Sequence, residues 1–577
     1  MNGGKLIAEF LKENGILYLF TLCGGHISPI LVGAKEVGMS VIDVRHEATA
    51  IFAADAFGRL TGLPGIAAVT AGPGVTNSVT AVKNAQMAQS PLIILGGAAA
   101  TVLHGRGALQ DIEQIELYKS ITKWRCKIEQ NCDIVPVLEE AFEVAMSGIP
   151  GPVFLECPID LLYDEKFVRE FYEESSSKAT SIKGKLVNWY LRRHVDKLFA
   201  CSIDEVKMEK NDEIIPFHID EEDLEKVASQ LNNAEKPVLV LGGQATKRVE
   251  FVKKLSKSLK DLETPIFLAS MSRGLLGKDH PNYFRHGRSK ALKEADLVII
   301  AGMPADFRLN YGRSINKNAF YISINRSKED LEKNQKPNLG IQADPATFLV
   351  ELAKYFNFKR GKWESWYNQL NKWNEGGKQK IQHFGSQKTD YINPIRLLEK
   401  IDENISDQSI IVGDGGDFVA TTSYIVKARS PLSWLDPGPF GTLGVGAGFA
   451  LTAKLLHPKS EVWLFYGDGA AGYSIAEFDT FIRHNIPIIA VCGNDAGWTQ
   501  ITRDQVEYLQ DEVGTVLKYT DYHKVAEGYG GEGLLLSSER NIEKVLNQAK
   551  LLAKNGSPVF INALIGKTDF RKGSISM

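Results

Sequence analysis

Cysteine is scarce in this 577-residue sequence: six residues (Cys23, Cys126, Cys132, Cys157, Cys201 and Cys492) with no CxxC pair among them. That spacing excludes the common zinc frameworks. A chain this long has core enough to need no disulfide staples, so a reducing compartment is expected. Long apolar runs are also missing, none reaching the roughly 18 residues of a membrane span. The opening MNGGKLIAEFLKENGI reads as an amphipathic helix rather than a basic segment followed by an apolar core. These absences point to a cytoplasmic protein with no transmembrane segment. Charge of one sign is not in excess either. The formal net charge is -3 with acids and bases interspersed, so no overall field gathers nucleic acid or an anionic membrane.

What is present is core material. Hydrophobic residues at 44% and charged residues at 24% match a globular chain, and the length calls for about three or four domains. Two distant stretches share a cadence. GIAAVTAGPG followed by SPLIILGG, and EVWLFYGDG followed by IPIIAVCG, each read as strand, glycine turn, helix and second strand. GPVFLECPID at Gly151 is answered by SPVFINALIG at Ser557, again about 400 residues later. The echo predicts two related α/β domains with parallel sheets, one near each end. A third α/β stretch lies between them, with strands in KPVLVLGGQA, TPIFLASMSRG, ADLVIIAGMPADFR and AFYISINR.

The predicted boundaries are 1–165 for the first domain, 166–220 for a charged insert, 221–358 for the central domain, 359–390 for a solvated linker helix, 391–566 for the last domain and 567–577 for a polar tail. In the insert, Leu186, Trp189, Tyr190 and Val195 are read as one helical face. That face could pack on its own chain, lie on a membrane surface or bridge subunits.

The chemistry is sharpest at YGDGAAGYS. Glycines flanking Asp468 let main-chain N–H groups approach an anion, and the helix that follows turns its positive end to the same place. GND at Gly493 closes the next strand and sets Asn494 beside Asp468 if the strands are neighbours. Asp468, Asn494 and the main-chain oxygen of Ala496 are hard ligands that suit Mg2+ completed by diphosphate oxygens.

GDG, about 24 residues and then Asn resembles the signature of thiamine diphosphate enzymes. RHEATAIFAADAFGRLTG, TAGPGVTN, GALQDIEQIELYKSITKW and GTLGVGAGFA resemble blocks of the acetolactate synthase and 2-hydroxyacyl-CoA lyase superfamily. The resemblance implies three doubly wound parallel-sheet α/β domains of the thiamine diphosphate enzyme type. It implies thiamine diphosphate and Mg2+ as cofactors, with the central domain either holding ADP or a non-redox FAD or standing unoccupied, since Asn325 replaces an acid often found there. It also implies a homodimer or homotetramer, because the first domain of one subunit binds the aminopyrimidine and the last domain of another binds the diphosphate.

Carried over residue by residue, Glu47 is the acid that shares a proton with the pyrimidine, with Gly72 and Asn77 nearby. Gly416, Asp417, Phe418, Gly441, Gly467, Asp468, Gly469, Ala470 and Asn494 approach the diphosphate, and Leu443 wedges under the bent cofactor. Asp417 and Phe418 stand where acetolactate synthases usually have Gln-His. His26 and Gln110 face the reacting carbon, His26 equally readable as a satisfied loop histidine. Ile501 occupies the place of a Trp that selects the second 2-ketoacid in acetolactate synthases, which favours a 2-hydroxyacyl-CoA lyase acting on acyl-CoA. The alternatives are 2-ketoacid and aldehyde carboligation and a non-catalytic cofactor-binding subunit. Lys567, Arg571 and Lys572 could close over a phosphorylated substrate such as CoA, or be solvated residues of the tail.

Overall fold

The computed structural model describes residues 2–176, 182–201, 217–356 and 361–573. Among the described residues seventeen strands fall into three sheets, every strand pairing parallel. The first holds β1 (Tyr18–Thr21), β2 (Ser40–Asp43), β3 (Gly65–Val69), β4 (Leu92–Ala98), β5 (Trp124–Lys127) and β6 (Pro152–Pro158). The second holds β7 (Pro237–Leu241), β8 (Ile266–Leu268), β9 (Leu297–Ala301), β10 (Phe320–Asn325) and β11 (Leu339–Gln342). The third holds β12 (Ile410–Gly413), β13 (Trp434–Leu435), β14 (Val462–Gly467), β15 (Ile489–Asn494), β16 (Glu532–Leu536) and β17 (Val559–Leu564).

The order β2-β1-β3-β4-β6-β5 in the first sheet is repeated, strand for strand, as β13-β12-β14-β15-β17-β16 in the third. The sequence echo is therefore a topological one. The central sheet, β11-β10-β9-β7-β8, keeps the same inner arrangement. In each sheet the order reverses between the first and third strands, and the crevice at the carboxyl ends there is where such folds bind ligands. Strands buried on both faces need continuous apolar runs. Every residue of β3, β4, β7, β9, β14 and β15 is accordingly buried.

Residues 1–215 and 216–577 form two compact units. In the second, Arg285 donates to the carbonyls of Tyr424, Ile425 and Val426, and Arg273 to that of Ser423. These bonds satisfy the last carbonyls of helix Asp417–Ile425, whose first turn belongs to the candidate site.

Three expectations change. Cys132 and Cys201 form a disulfide closing 69 residues, so the cysteine argument for a reducing compartment loses its support. Cys23, Cys126, Cys157 and Cys492 remain free thiols. Helix Glu364–Gly385 is not a solvated linker: Trp363, Trp366 and Leu370 sit in the central core and Ile381 in the last one. The indoles of Trp363 and Trp366 donate to the carbonyls of Ala234 and Pro237, which is what lets two tryptophans be buried in a polar-looking sequence.

In the insert, helices Glu165–Ser176 and Ile182–Leu198 pack on the first domain through Val168, Tyr172 and Val195. Val195 is buried while Leu186, Trp189 and Tyr190 are exposed, so those four residues do not share a face. Residues 177–181 and 202–216 of the insert and 574–577 of the tail lie outside the described residues. Among the described residues no helix is long and apolar enough to cross a membrane.

Candidate functional site

The first unit gathers its candidate residues at the switch point of its sheet. Helix Glu47–Thr61 opens with the His46 ring accepting from the Ala48 N–H and ends on Gly62 in the left-handed region. Nearly every side of it is buried, as its small residues require. Glu47, in its first turn, is buried and accepts from Asn77 Nδ2 at 3.0 Å. The loops after β1 and β3 meet at Thr70, whose hydroxyl lies 3.2 Å from His26 Nδ1. Burial lowers the His26 pKa, offset in part by a side-chain hydrogen bond with Gln110, so the ring is neutral at pH 7 and able to take a proton.

His26 and Gln110, eighty-odd residues apart, are therefore in contact. Gly72 must be glycine: its φ is +63° and a Cβ there would come within 2.7 Å of the Gln110 carbonyl. Its N–H donates to Gln114 Oε1, which fastens this turn to the Gln110 loop. Thr70 and Gln114 escaped the sequence reading; only their places beside TAGPG and LQDIEQ hinted at them.

The second unit presents a cavity of about 930 Å³ at the switch point of the third sheet. Gly416, Asp417, Phe418, Gly441, Leu443, Gly467, Asp468, Gly469 and Ala470 all line it, so these carried-over residues come together, while Asn494 is buried and does not line it. Gly416 has φ +106°, and a Cβ on Gly467 would stand 3.0 Å from the Gly415 carbonyl oxygen. Trp498 lies against Gly469, where a Cβ would meet its ring at 2.5 Å. The Phe418 ring packs against Gly493, and Asp417 pairs with Arg503 at 3.0 Å. The floor is thus bare backbone backed by helix starts, the surface a diphosphate needs.

Leu443 is held from below. Asp414, fully buried at the end of β12, accepts from Gly444 N–H at 2.9 Å and Gly446 N–H at 2.7 Å. It is a long-range cap on helix Val445–Leu456 that fixes the turn carrying Leu443. Nothing in VGDGGDF marks this acid apart from its neighbours. Burial pushes its pKa up to about 7, the two N–H bonds opposing. A carboxyl raised on folding adds stability fully below its unfolded pKa near 4 and loses it as pH rises toward 7. Cofactor-free protein should therefore lose stability over that window. Asp414→Asn should flatten that slope in urea titrations at stepped pH. It should also unfold more easily at low pH by about 1–3 kcal/mol, since an amide NH2 must face one of the two N–H donors.

The metal set is partly assembled. Asp468 accepts from Gly469 N–H at 2.9 Å and from Gly497 N–H at 3.0 Å, tying the ends of β14 and β15 together. Asn494 is buried beside it, but its Oδ1 accepts from Ala496 N–H, and its Nδ2 donates to the Thr520 carbonyl and Asn562. Ala496 sits at φ +55°, uncommon for alanine, and its carbonyl accepts from Leu517 N–H with one lone pair. Ala496 and Lys567 line a second cavity of about 710 Å³, and Asp495 borders both.

Burial, with Asp495 nearby, pushes Asp468 up to about 7; burial alone leads for Asp495, pushed up to about 6. Among the described residues no three His, Cys, Asp or Glu groups could cage a metal. One buried carboxyl and a buried amide oxygen, with the half-buried Asp495 beside them, fall short of a full shell and fit a hard cation that shares diphosphate oxygens. Ile501 and Arg571 line the first cavity; Lys572 does not.

The sequence agrees with this geometry. Residues 1–117 match the thiamine pyrophosphate enzyme N-terminal TPP binding domain, 224–352 the central domain and 414–563 the C-terminal TPP binding domain. The chain is 48% identical over 584 residues to 2-hydroxyacyl-CoA lyase 2 of Danio rerio, covering 100% of this chain and 93% of that protein. It is 46% identical over 591 residues to the Homo sapiens protein of the same name, covering 100% and 92%. A probable acetolactate synthase of Mycobacterium bovis is 30% identical over 578 residues, covering 98% and 96%. With two domains of one topology, each holding its residues at the switch point, and matches running from end to end, the chain belongs to the thiamine pyrophosphate enzyme family and is built to bind that cofactor.

Proposed function

We propose that this protein is a thiamine diphosphate- and Mg2+-dependent carbon-carbon lyase that cleaves the C1–C2 bond of a 2-hydroxyacyl-CoA. The products are formyl-CoA and an aldehyde one carbon shorter, and the reverse reaction is an acyloin-type condensation. One observation carries the CoA part. The cavity that starts at the glycine floor extends into the central domain, where Arg273, Arg288 and Arg308 line it, and Arg571 of the tail lines it as well. Arg308 is engaged with Asp306, but Nε of Arg273 and of Arg571 is buried with no acceptor among the described residues. A 2-ketoacid brings one carboxylate; a CoA thioester brings a diphosphate that uses several guanidinium groups.

Bound, the cofactor supplies a nucleophilic carbon and an electron sink for the bond that breaks. Glu47, fixed by Asn77, holds the proton on the pyrimidine. His26, neutral and oriented by Thr70 and Gln110, takes the proton of the substrate hydroxyl as the aldehyde forms. With the cofactor bound, Leu443 on its Asp414-capped turn would press against it, and Asp468 with Asn494 would hold Mg2+. The working unit in this reading is at least a homodimer, pairing the first unit of one copy with the second unit of another. We assign no resident ADP or FAD to the central switch point, because the Gln244 amide there is spent on Asn325 and Arg326.

The test is reconstitution of the purified chain with thiamine diphosphate and Mg2+, followed by product analysis from a 2-hydroxyacyl-CoA and from pyruvate in parallel. Formyl-CoA with the shortened aldehyde is expected; acetolactate without formyl-CoA would replace this reading with the synthase one. Arg273→Gln is expected to raise KM for the CoA substrate about 10- to 100-fold, the worth of one or two charge-assisted bonds. A short thioester lacking the nucleotide should show no such change in steady-state kinetics.

A further inference from the structure

The helical hairpin of the first unit uses one face and leaves the other bare. Its inner face is locked: Tyr172 donates to Asp160 at 2.9 Å, His194 Nε2 lies 2.7 Å from Thr101 Oγ1, and Cys201 is bonded to Cys132. On the opposite side of helix Ile182–Leu198, Ile182, Leu186, Trp189 and Tyr190 recur at i, i+4, i+7 and i+8 and are 82%, 61%, 57% and 49% exposed. The same face continues into Arg193 and Lys197, both exposed, with the Arg193 guanidinium 5.5 Å over the Trp189 ring. The helix holds five lysines and arginines against a single acid, Asp196, which is paired with Arg169. Phe167 and Phe171 of the neighbouring helix add two more exposed rings.

We propose that this face docks the protein on an anionic lipid surface, with Leu186 and Trp189 in the acyl boundary and Arg193 and Lys197 at the phosphates. The separation of character along one face is the argument. Apolar side chains lead and long cationic ones follow, which suits an interface with a greasy layer beneath a layer of negative charge. The attraction is local, because the chain as a whole is net acidic. The inference stands apart from the lyase reading.

The experiment is co-sedimentation of the full chain with phosphatidylcholine vesicles, with and without about 30% phosphatidylserine. Binding to the anionic vesicles only, weakening with salt, is expected. Leu186→Glu/Trp189→Glu should lower it at least tenfold, and Arg193→Glu/Lys197→Glu should abolish the preference for phosphatidylserine. Thermal unfolding of both should match the parent, since the side chains changed are exposed. Equal sedimentation with and without phosphatidylserine overturns the proposal, as does unchanged binding by Leu186→Glu/Trp189→Glu. A halving of molecular mass by that pair in light scattering overturns it too, and assigns the face to a second copy.

Discussion

Glu47→Gln is expected to lower turnover by about 10²- to 10⁴-fold, the range for removing a positioned proton-transfer group. The substitution is close to isosteric, and its amide oxygen can still accept from Asn77, so the start of helix Glu47–Thr61 should survive. Loss should fall on kcat, while the midpoint of thiamine diphosphate titration, followed by tryptophan fluorescence, stays within a few-fold. A variant retaining more than a tenth of parental kcat would remove Glu47 from the chemistry.

The second large effect belongs to Asp468. Asp468→Ala strips the acceptor from two main-chain N–H groups, those of Gly469 and Gly497, inside a buried turn. Each unpaired donor costs about 1–3 kcal/mol, so the turn should open even without cofactor. The clearer signature is linkage: the parent gains thermal stability when thiamine diphosphate and Mg2+ are added together, because only the folded state binds them. The variant should show none of that gain at any Mg2+ concentration reached. Full stabilisation of Asp468→Ala by the pair would mean that the cation is held elsewhere.

Much of this was legible in the sequence because the informative features were local. A strand buried on both faces is a run of apolar residues, and a glycine turn at its end is a string of letters, so GDG and GPG marked both switch points without knowledge of strand order. What escaped needed distance. Asp414 reads as one more acid in VGDGGDF, and its role exists only because Gly444 and Gly446 arrive thirty residues later. Trp498 and Gln114 matter for what they face across a gap.

The Cys132–Cys201 bond likewise joins two elements whose proximity is set by the packing of the insert. In the insert, Val195 stands nine residues beyond Leu186, about half a turn round the helix from the stripe of Leu186, Trp189 and Tyr190, so it faces the protein while they face outward. The tryptophans of WESWYNQLNKW look solvated among charges until the carbonyls of Ala234 and Pro237 are found waiting for their N–H groups.

The helix from Glu364 to Gly385 has its first turns anchored in one core and a later turn in the next. It therefore behaves as a keyed shaft. Adding a single residue between Leu370 and Ile381 turns one anchor about 100° against the other. The second unit should tolerate sequence drift along that shaft far better than any change in its length.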